Sequence, residues 1–236
     1  MKAASRLLAT LSPTGTTRLD VIASQTPLLW RVTPDAVYLV GGAAGPIGGD
    51  ELSIDLEIGP GATLAVASTA AMIALPGRDS APSTLRVRVR VRTGGTLKWL
   101  PEPTVGAFGC RHRVTTLIDL GVDSRLTWRE ELIAGRWGEE SGSVSSSLRI
   151  EVQGRPLLHQ SLGIGPDAPE WTSPAVVGTH RAVGSMVIVD PNSAGAGSNK
   201  TLSGPLVARM PLPGPGVLVT ALAGGAADLR RVLASS

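Results

Sequence analysis

Leu85 to Arg92 read "LRVRVRVR", apolar and guanidinium side chains in strict alternation. In an extended chain successive side chains point to opposite faces. Leu85, Val87, Val89 and Val91 therefore share one face, and Arg86, Arg88, Arg90 and Arg92 share the other. A helix would scatter both sets around its axis, so the stretch is a β-strand with one buried face. Four like charges on the opposite face need solvent, or acids on a neighbouring strand. The sharper alternative makes that face a β-rich binding module for an acidic protein or polyanion, with no metal role.

Similar segments flank it on both sides: Leu19 to Ala23, Leu28 to Val32, Ala36 to Val40, Leu52 to Ile58, Thr63 to Ala67, Thr96 to Leu100, Val114 to Leu120, Arg125 to Ile133, Val144 to Val152 and Pro156 to Leu162. Turn signals separate them, among them Gly59-Pro60-Gly61, Thr93-Gly94-Gly95 and Gly121-Val122-Asp123-Ser124. The pattern predicts a mainly β protein of many short strands, with 1–236 as one domain. Gly216 to Ala223 reads as a buried strand. Ala226 to Leu233 reads as a helix with Leu229, Val232 and Leu233 on one side. A second, weaker helix is expected over Ser68 to Leu75, with Ser68 as N-cap and Pro76-Gly77 as stop. Pro191 to Ser203 is small and polar, and reads as a mobile loop.

Composition supports this reading. The 29 Gly and 18 Pro are about a fifth of the 236 residues, against roughly 12% in an average protein. With 42% hydrophobic residues and a mean hydropathy of +0.18, that excess means turns rather than disorder. Aromatic residues are only 3%, so the core is aliphatic. The net charge of +3 rests on Arg, since only Lys2, Lys98 and Lys200 are Lys. Arg favours bidentate partners such as carboxylates. Phe108 and Tyr38 are the only Phe and Tyr, so the aromatic interleaving that stacks bases is missing and nucleic acid is not expected. The single Cys110 rules out an internal disulfide and fits a reducing compartment. No apolar run is long enough to cross a bilayer as a helix. A cytoplasmic protein away from the membrane is expected.

Val40 to Asp50, "VGGAAGPIGGD", raises the question of a phosphate cradle. Gly41, Gly42, Gly45, Gly48 and Gly49 match neither G-x-x-x-x-G-K-[ST] nor G-x-G-x-x-G, and the next residues alternate like a strand. The glycines are instead expected to give positive φ and close backbone approach, seating Asp50 at the rim of a strand stack.

For catalysis the chain offers His112, His159 and His180 as bases, and no G-x-S-x-G. Cys110 and His112, two apart, are weak metal candidates, because two ligands do not make a zinc site. The acids are more informative. Glu102 lies in "WLPEPTVGAFG", and Glu130, Glu131, Glu139 and Glu140 lie in "WREELIAGRWGEESG" beside Arg129 and Arg136. Such acids fix turns as ion pairs, or line a passage that holds a cation weakly.

The ordered blocks "VGGAAGPIGGDELSIDLEIGPGATL", "GTLKWLPEPTVGAFGCRHR", "WREELIAGRWGEESG", "GRPLLHQSL" and "VVGTH" resemble the UreD (UreH) family of urease accessory proteins. The resemblance implies a helix-like stack of strands with few helices and a non-enzymatic role. It implies that the protein binds apo-urease together with a UreF-type bridging protein and a UreG-type GTPase, and that it supports nickel delivery through a water-filled tunnel, with Ni²⁺ in transit and no tightly bound cofactor. Carried over residue by residue, the metal-passage positions are Asp50, Glu130 and Glu139, joined by Glu102 where the family carries Gln. Gly48, Gly49, Gly135, Arg136 and Gly138 are the turn positions. The sequence departs from the family at Ile73, Leu75 and Pro76, where many members are polar, and at Cys110, where Ala is commoner.

Overall fold

The computed structural model describes residues 1–79, 81–192 and 206–235. Its strands, in chain order, are β1 (Lys2–Leu11), β2 (Thr17–Ala23), β3 (Leu28–Val32), β4 (Val37–Gly41), β5 (Glu51–Ile58), β6 (Thr63–Ser68), β7 (Met72–Ala74), β8 (Ser83–Val91), β9 (Thr96–Leu100), β10 (Thr104–Gly106), β11 (Arg111–Leu120), β12 (Arg125–Ala134), β13 (Ser143–Val152), β14 (Arg155–Ile164), β15 (Ala182–Val189), β16 (Val207–Pro211) and β17 (Gly216–Ala223), followed by helix α1 (Ala226–Ala234).

They form two sheets. The first runs β14-β13-β11-β8-β5-β1-β2, and the second β16-β17-β15-β12-β9-β6-β4-β3, with the short β10 beside β12 and β7 beside β10. Between β4 and β13 the chain crosses repeatedly from one sheet to the other. It lays β4, β6, β9 and β12 parallel in the second sheet and β5, β8, β11 and β13 parallel in the first. Each circuit adds a strand to each sheet, which is how a β-solenoid is built. The turn signals are its corners. Gly61 N–H donates to Thr93 O at 3.0 Å and Gly94 N–H to Val122 O at 2.8 Å, stacking one corner on the next. A Cβ at Gly121 would lie 2.8 Å from Thr93 N, so the corners approach too closely for a side chain there.

The register places the alternating residues as the pattern demands. Ile54, Val87, Thr116 and Leu148 occupy neighbouring positions on four successive strands and face the second sheet. That sheet contributes Leu64, Leu97 and Leu126 to the same core, together with Trp99 and Trp128, whose rings stack at 5.0 Å. On the outer face Arg88 pairs in register with Asp55 and Arg90 with Glu57. Ion pairs join Arg92 to Glu57 at 2.7 Å, Arg88 to Asp55 at 3.9 Å and Arg90 to Asp119 at 4.0 Å. Arg86 lies opposite Ser53 and Thr115. Three of the four guanidinium groups thus meet acids across strands, which relieves their mutual repulsion.

Several elements differ from expectation. Ser68 to Leu75 is not a helix. Ser68 ends β6, and Met72–Ala74 form β7 parallel to β10. Short apolar runs fit either period; here Leu75 N–H and C=O bond to Pro46 and Gly48, and these tertiary backbone bonds hold the chain extended. The brief apolar patch near the start belongs to the ten-residue β1, whose inward positions include the small Ala3, Ser5 and Ala9. β15 also escaped the pattern, because it is buried on both faces and does not alternate. Pro191 and Asn192 lie in a turn, and 193–203 lie outside the described residues.

The glycine stretch connects β4 to β5 with no helix behind it. Gly45 and Gly49 have φ of +153° and +88°. A Cβ at Gly48 would lie 2.6 Å from Gly77 N, a backbone approach that only glycine permits.

Candidate functional site

Between the two sheets the core opens into a cavity of about 500 Å³. Leu52, Ile54 and Val87 wall it on one side, and Leu39, Met72 and Trp99 on the other. The odd member of this interior is Glu130. Alternation along β12 turns Trp128, Glu130 and Leu132 inward together, and Glu130 lines both this cavity and a second of about 10 Å³. Leu132 and Ser146 line both as well, so Glu130, Leu132 and Ser146 form the partition between the two spaces.

Three donors converge on the Glu130 carboxylate: Ser146 Oγ on Oε2 at 2.9 Å, and Trp128 Nε1 and Thr116 Oγ1 on Oε1 at 3.0 and 3.4 Å. Burial raises its pKa, and the three hydrogen bonds pull the other way. Burial is the larger effect, so the carboxyl lies above its ordinary value, with two hydroxyls and an indole N–H around it.

The cavity rim carries a charge network. Arg230 of α1 donates to Glu102 at 2.7 Å and to Glu131 at 2.9 Å. Arg129 lies 3.5 Å from Glu131 and donates to the carbonyls of Leu100 and Pro101 at 3.2 and 2.7 Å. The hydrogen bond that Arg230 donates to Glu131 is the largest influence on Arg230 and raises its pKa, whereas burial lowers that of Arg129. Leu229 and Leu233 dock the helix against Gly184 of β15, where a Cβ would meet them at 3.0 to 3.1 Å.

The sequence-predicted residues therefore fall in different places. Glu102 and Glu130 line the same cavity. Asp50 is buried outside its lining; its Oδ1 lies 2.8 Å from the Met1 amino group, and its Oδ2 accepts from Ile47 N–H at 2.9 Å. Glu139 sits on the turn after β12. There its carboxylate takes Arg136 at 2.7 and 2.8 Å, and the Arg136 hydrogen bond draws its pKa down to about 2. Gly135 and Gly138 flank that turn with φ of +72° and +70°, and Arg136 itself reaches the cavity edge. Ile73 and Leu75 place apolar side chains on the cavity wall.

Cys110 and His112 are both buried. Burial, aided by the Glu139 charge, pushes the thiol up to about 11, which keeps it protonated at neutral pH. Burial lowers His112 to about 4, with Nδ1 2.9 Å from Ser83 Oγ and Nε2 without a hydrogen-bond partner. Among the described residues no group of three or more His, Cys, Asp or Glu is placed to hold a metal ion, and no helix is long and apolar enough to cross a membrane. Sequence reasoning missed Ser146, Thr116 and Arg230. The first two were legible only as polar residues at inward positions of an alternating strand.

The sequence model of the family described as UreD urease accessory protein matches residues 2–236. The chain is 43% identical over 260 residues to a protein named urease accessory protein UreD from Parafrankia sp., covering all of this chain and 87% of the relative. It is 46% identical over 213 residues to one of the same name from Frankia alni, covering 84% and 71%. A relative named urease accessory protein UreD 3 from Streptomyces griseus is 43% identical over 242 residues, covering 99% and 94%.

Proposed function

Because this chain belongs to the UreD family of urease accessory proteins, we propose that it is a non-enzymatic maturation scaffold. On this reading it binds apo-urease and a UreF- and UreG-type complex in the cytoplasm and supports delivery of Ni²⁺ into the urease active site. The passing ion uses the interior cavity, with Glu130 as its resting place and Glu102 at the entrance. The observation that carries this reading is the Glu130 carboxylate, which lies between two internal spaces among Ser146, Thr116 and Trp128.

The chemistry suits transit rather than storage. One carboxylate and two hydroxyls are hard oxygen donors, too few for tight octahedral binding but enough to replace part of a hydration shell. An acid whose pKa is raised by burial also holds a proton that competes with the cation, which keeps the stop weak. Deprotonation admits the ion and reprotonation releases it.

The test is co-expression with urease. Glu130→Gln and Glu102→Gln keep side-chain shape but remove the charge. The urease complex should still form, and the urease purified from it should carry about tenfold less nickel with Glu130→Gln than with the parent chain. Full nickel loading with both substitutions together would refute a role for these acids.

A further inference from the structure

We propose that the interior cavity binds a small organic monocation, an ammonium group on an apolar or aromatic body, with the ammonium seated on Glu130. The inference goes beyond the maturation role and does not rest on it.

The charges around the cavity decide its preference. Its charged lining residues are Glu102, Arg129, Glu130, Glu131 and Arg136. Glu102 and Glu131 share Arg230 at 2.7 and 2.9 Å, and Arg129 adds a second cation 3.5 Å from Glu131. Two acids thus face two guanidinium groups. Arg136 is matched by Glu139 at 2.7 Å. Glu130 accepts hydrogen bonds from Ser146, Trp128 and Thr116, but among the described residues it has no ion pair. The three donors satisfy its oxygens without neutralising it. One negative charge is left over in the wall, and a desolvated carboxylate without a counter-charge is costly. A monocation cancels that charge and offsets the desolvation that burial imposes. A dication in the same place leaves a net positive charge, which suits a passing ion and not a resident one.

The walls choose the rest of the ligand. Leu52, Ile54, Met72 and Val87 offer aliphatic surface, and Trp99 and Trp128 offer stacked rings. A hydrated metal ion gains nothing from such walls, whereas an apolar body leaves water by packing against them. Trp128 acts twice. Its Nε1 holds Glu130 at 3.0 Å, so a cation on that carboxylate lies beside the indole, whose π-system also attracts positive charge. The volume of about 500 Å³ falls within the range of small-ligand pockets, roughly 300–1,000 Å³. A lysyl side chain of a partner carries the same ammonium but leaves most of that space unfilled, so a free molecule is the better fit. Seated at Glu130, it excludes a metal ion from the same oxygens.

The test uses the full chain alone in metal-free buffer, so its outcome is separate from nickel loading of urease. Isothermal titration calorimetry compares probes that share one aromatic body: phenethylammonium, phenethyl alcohol and phenylpropionate. The ammonium should bind with a Kd of about 0.1–1 mM, roughly tenfold tighter than the alcohol, and the carboxylate should be weakest. Glu130→Gln should weaken the ammonium about tenfold, to the level of the alcohol, while alcohol binding stays unchanged and so shows the cavity to be intact. Glu130→Asp keeps the charge and should keep the preference for the ammonium. A capped lysine tripeptide should bind about tenfold more weakly than phenethylammonium. An ammonium no tighter than the alcohol, a preference that survives Glu130→Gln, or a lysine peptide that binds as tightly as the free amine would each overturn the proposal.

Discussion

Arg230 donates to Glu131 at 2.9 Å across 99 residues of chain, tying the only helix among the described residues to the strand that carries Glu130. Glu131 has no exposed side-chain surface, so Arg230→Ala leaves a buried carboxylate with only the more distant Arg129, at 3.5 Å, for a cation. Breaking a buried pair costs about 3–5 kcal/mol. With Arg230 a third exposed, solvent screening reduces the expected loss to about 2 kcal/mol. Urea denaturation should show that loss, and Glu131→Gln in the same chain should recover part of it. Additive losses in the double variant would mean the pair is not coupled.

Glu130 should cost stability at neutral pH. Its folded pKa is raised by burial, so its favourable contribution is fully present below the unfolded carboxylate value near 4.3 and is lost as pH rises through the folded value. Glu130→Gln should therefore melt about 2–4 °C higher at pH 7, a gain of about 1 kcal/mol, and the gain should vanish near pH 4. A residue that improves stability when removed is marked as one kept for function. A lower melting point at pH 7 would show the carboxylate to be structural.

His112 acts in the opposite direction. Its folded pKa of about 4 lies below the ordinary 6.5, so the unfolded chain takes up the proton first as pH falls. Stability is complete above pH 6.5 and declines towards pH 4, by up to about 3 kcal/mol. Thermal melts between pH 7 and pH 4 should show this decline. His112→Gln should flatten it while leaving the acid-side behaviour of the surface pairs in place.

The solenoid corners give a stability test with an internal control. Gly121→Ala puts a methyl group 2.8 Å from Thr93 N, where backbone must move, so a loss of about 3 kcal/mol or more is expected. Gly138→Ala meets nothing within 4 Å and has only its φ of +70° against it, for about 1 kcal/mol. Equal losses would show that the corners are not tightly stacked.

Alternation made most of the fold legible. "LRVRVRVR" gave β8 its buried face, and β5, β9 and β12 followed from the same period within one or two residues. The pattern failed where burial does not alternate, as in β15, and where inward residues are small, as in β1. For the site, the family pattern and the acid count brought forward Glu102 and Glu130 alike. The donors around Glu130 come from β11, β12 and β13, and Arg230 comes from α1. Sequence spacing carries no signal for contacts made between coils, so Ser146, Thr116 and Arg230 emerged only from the register.

The most direct test of passage through the interior is to fill the partition and leave every acid in place. Ser146→Leu adds an aliphatic branch to a space of about 10 Å³, closing the way past Glu130 while the outer surface is unchanged. The measurement is the nickel content of urease matured with this variant, after size-exclusion chromatography has shown the accessory complex to be intact. Passage through the interior requires an intact complex and nickel-poor urease. Urease with its full nickel complement would contradict it.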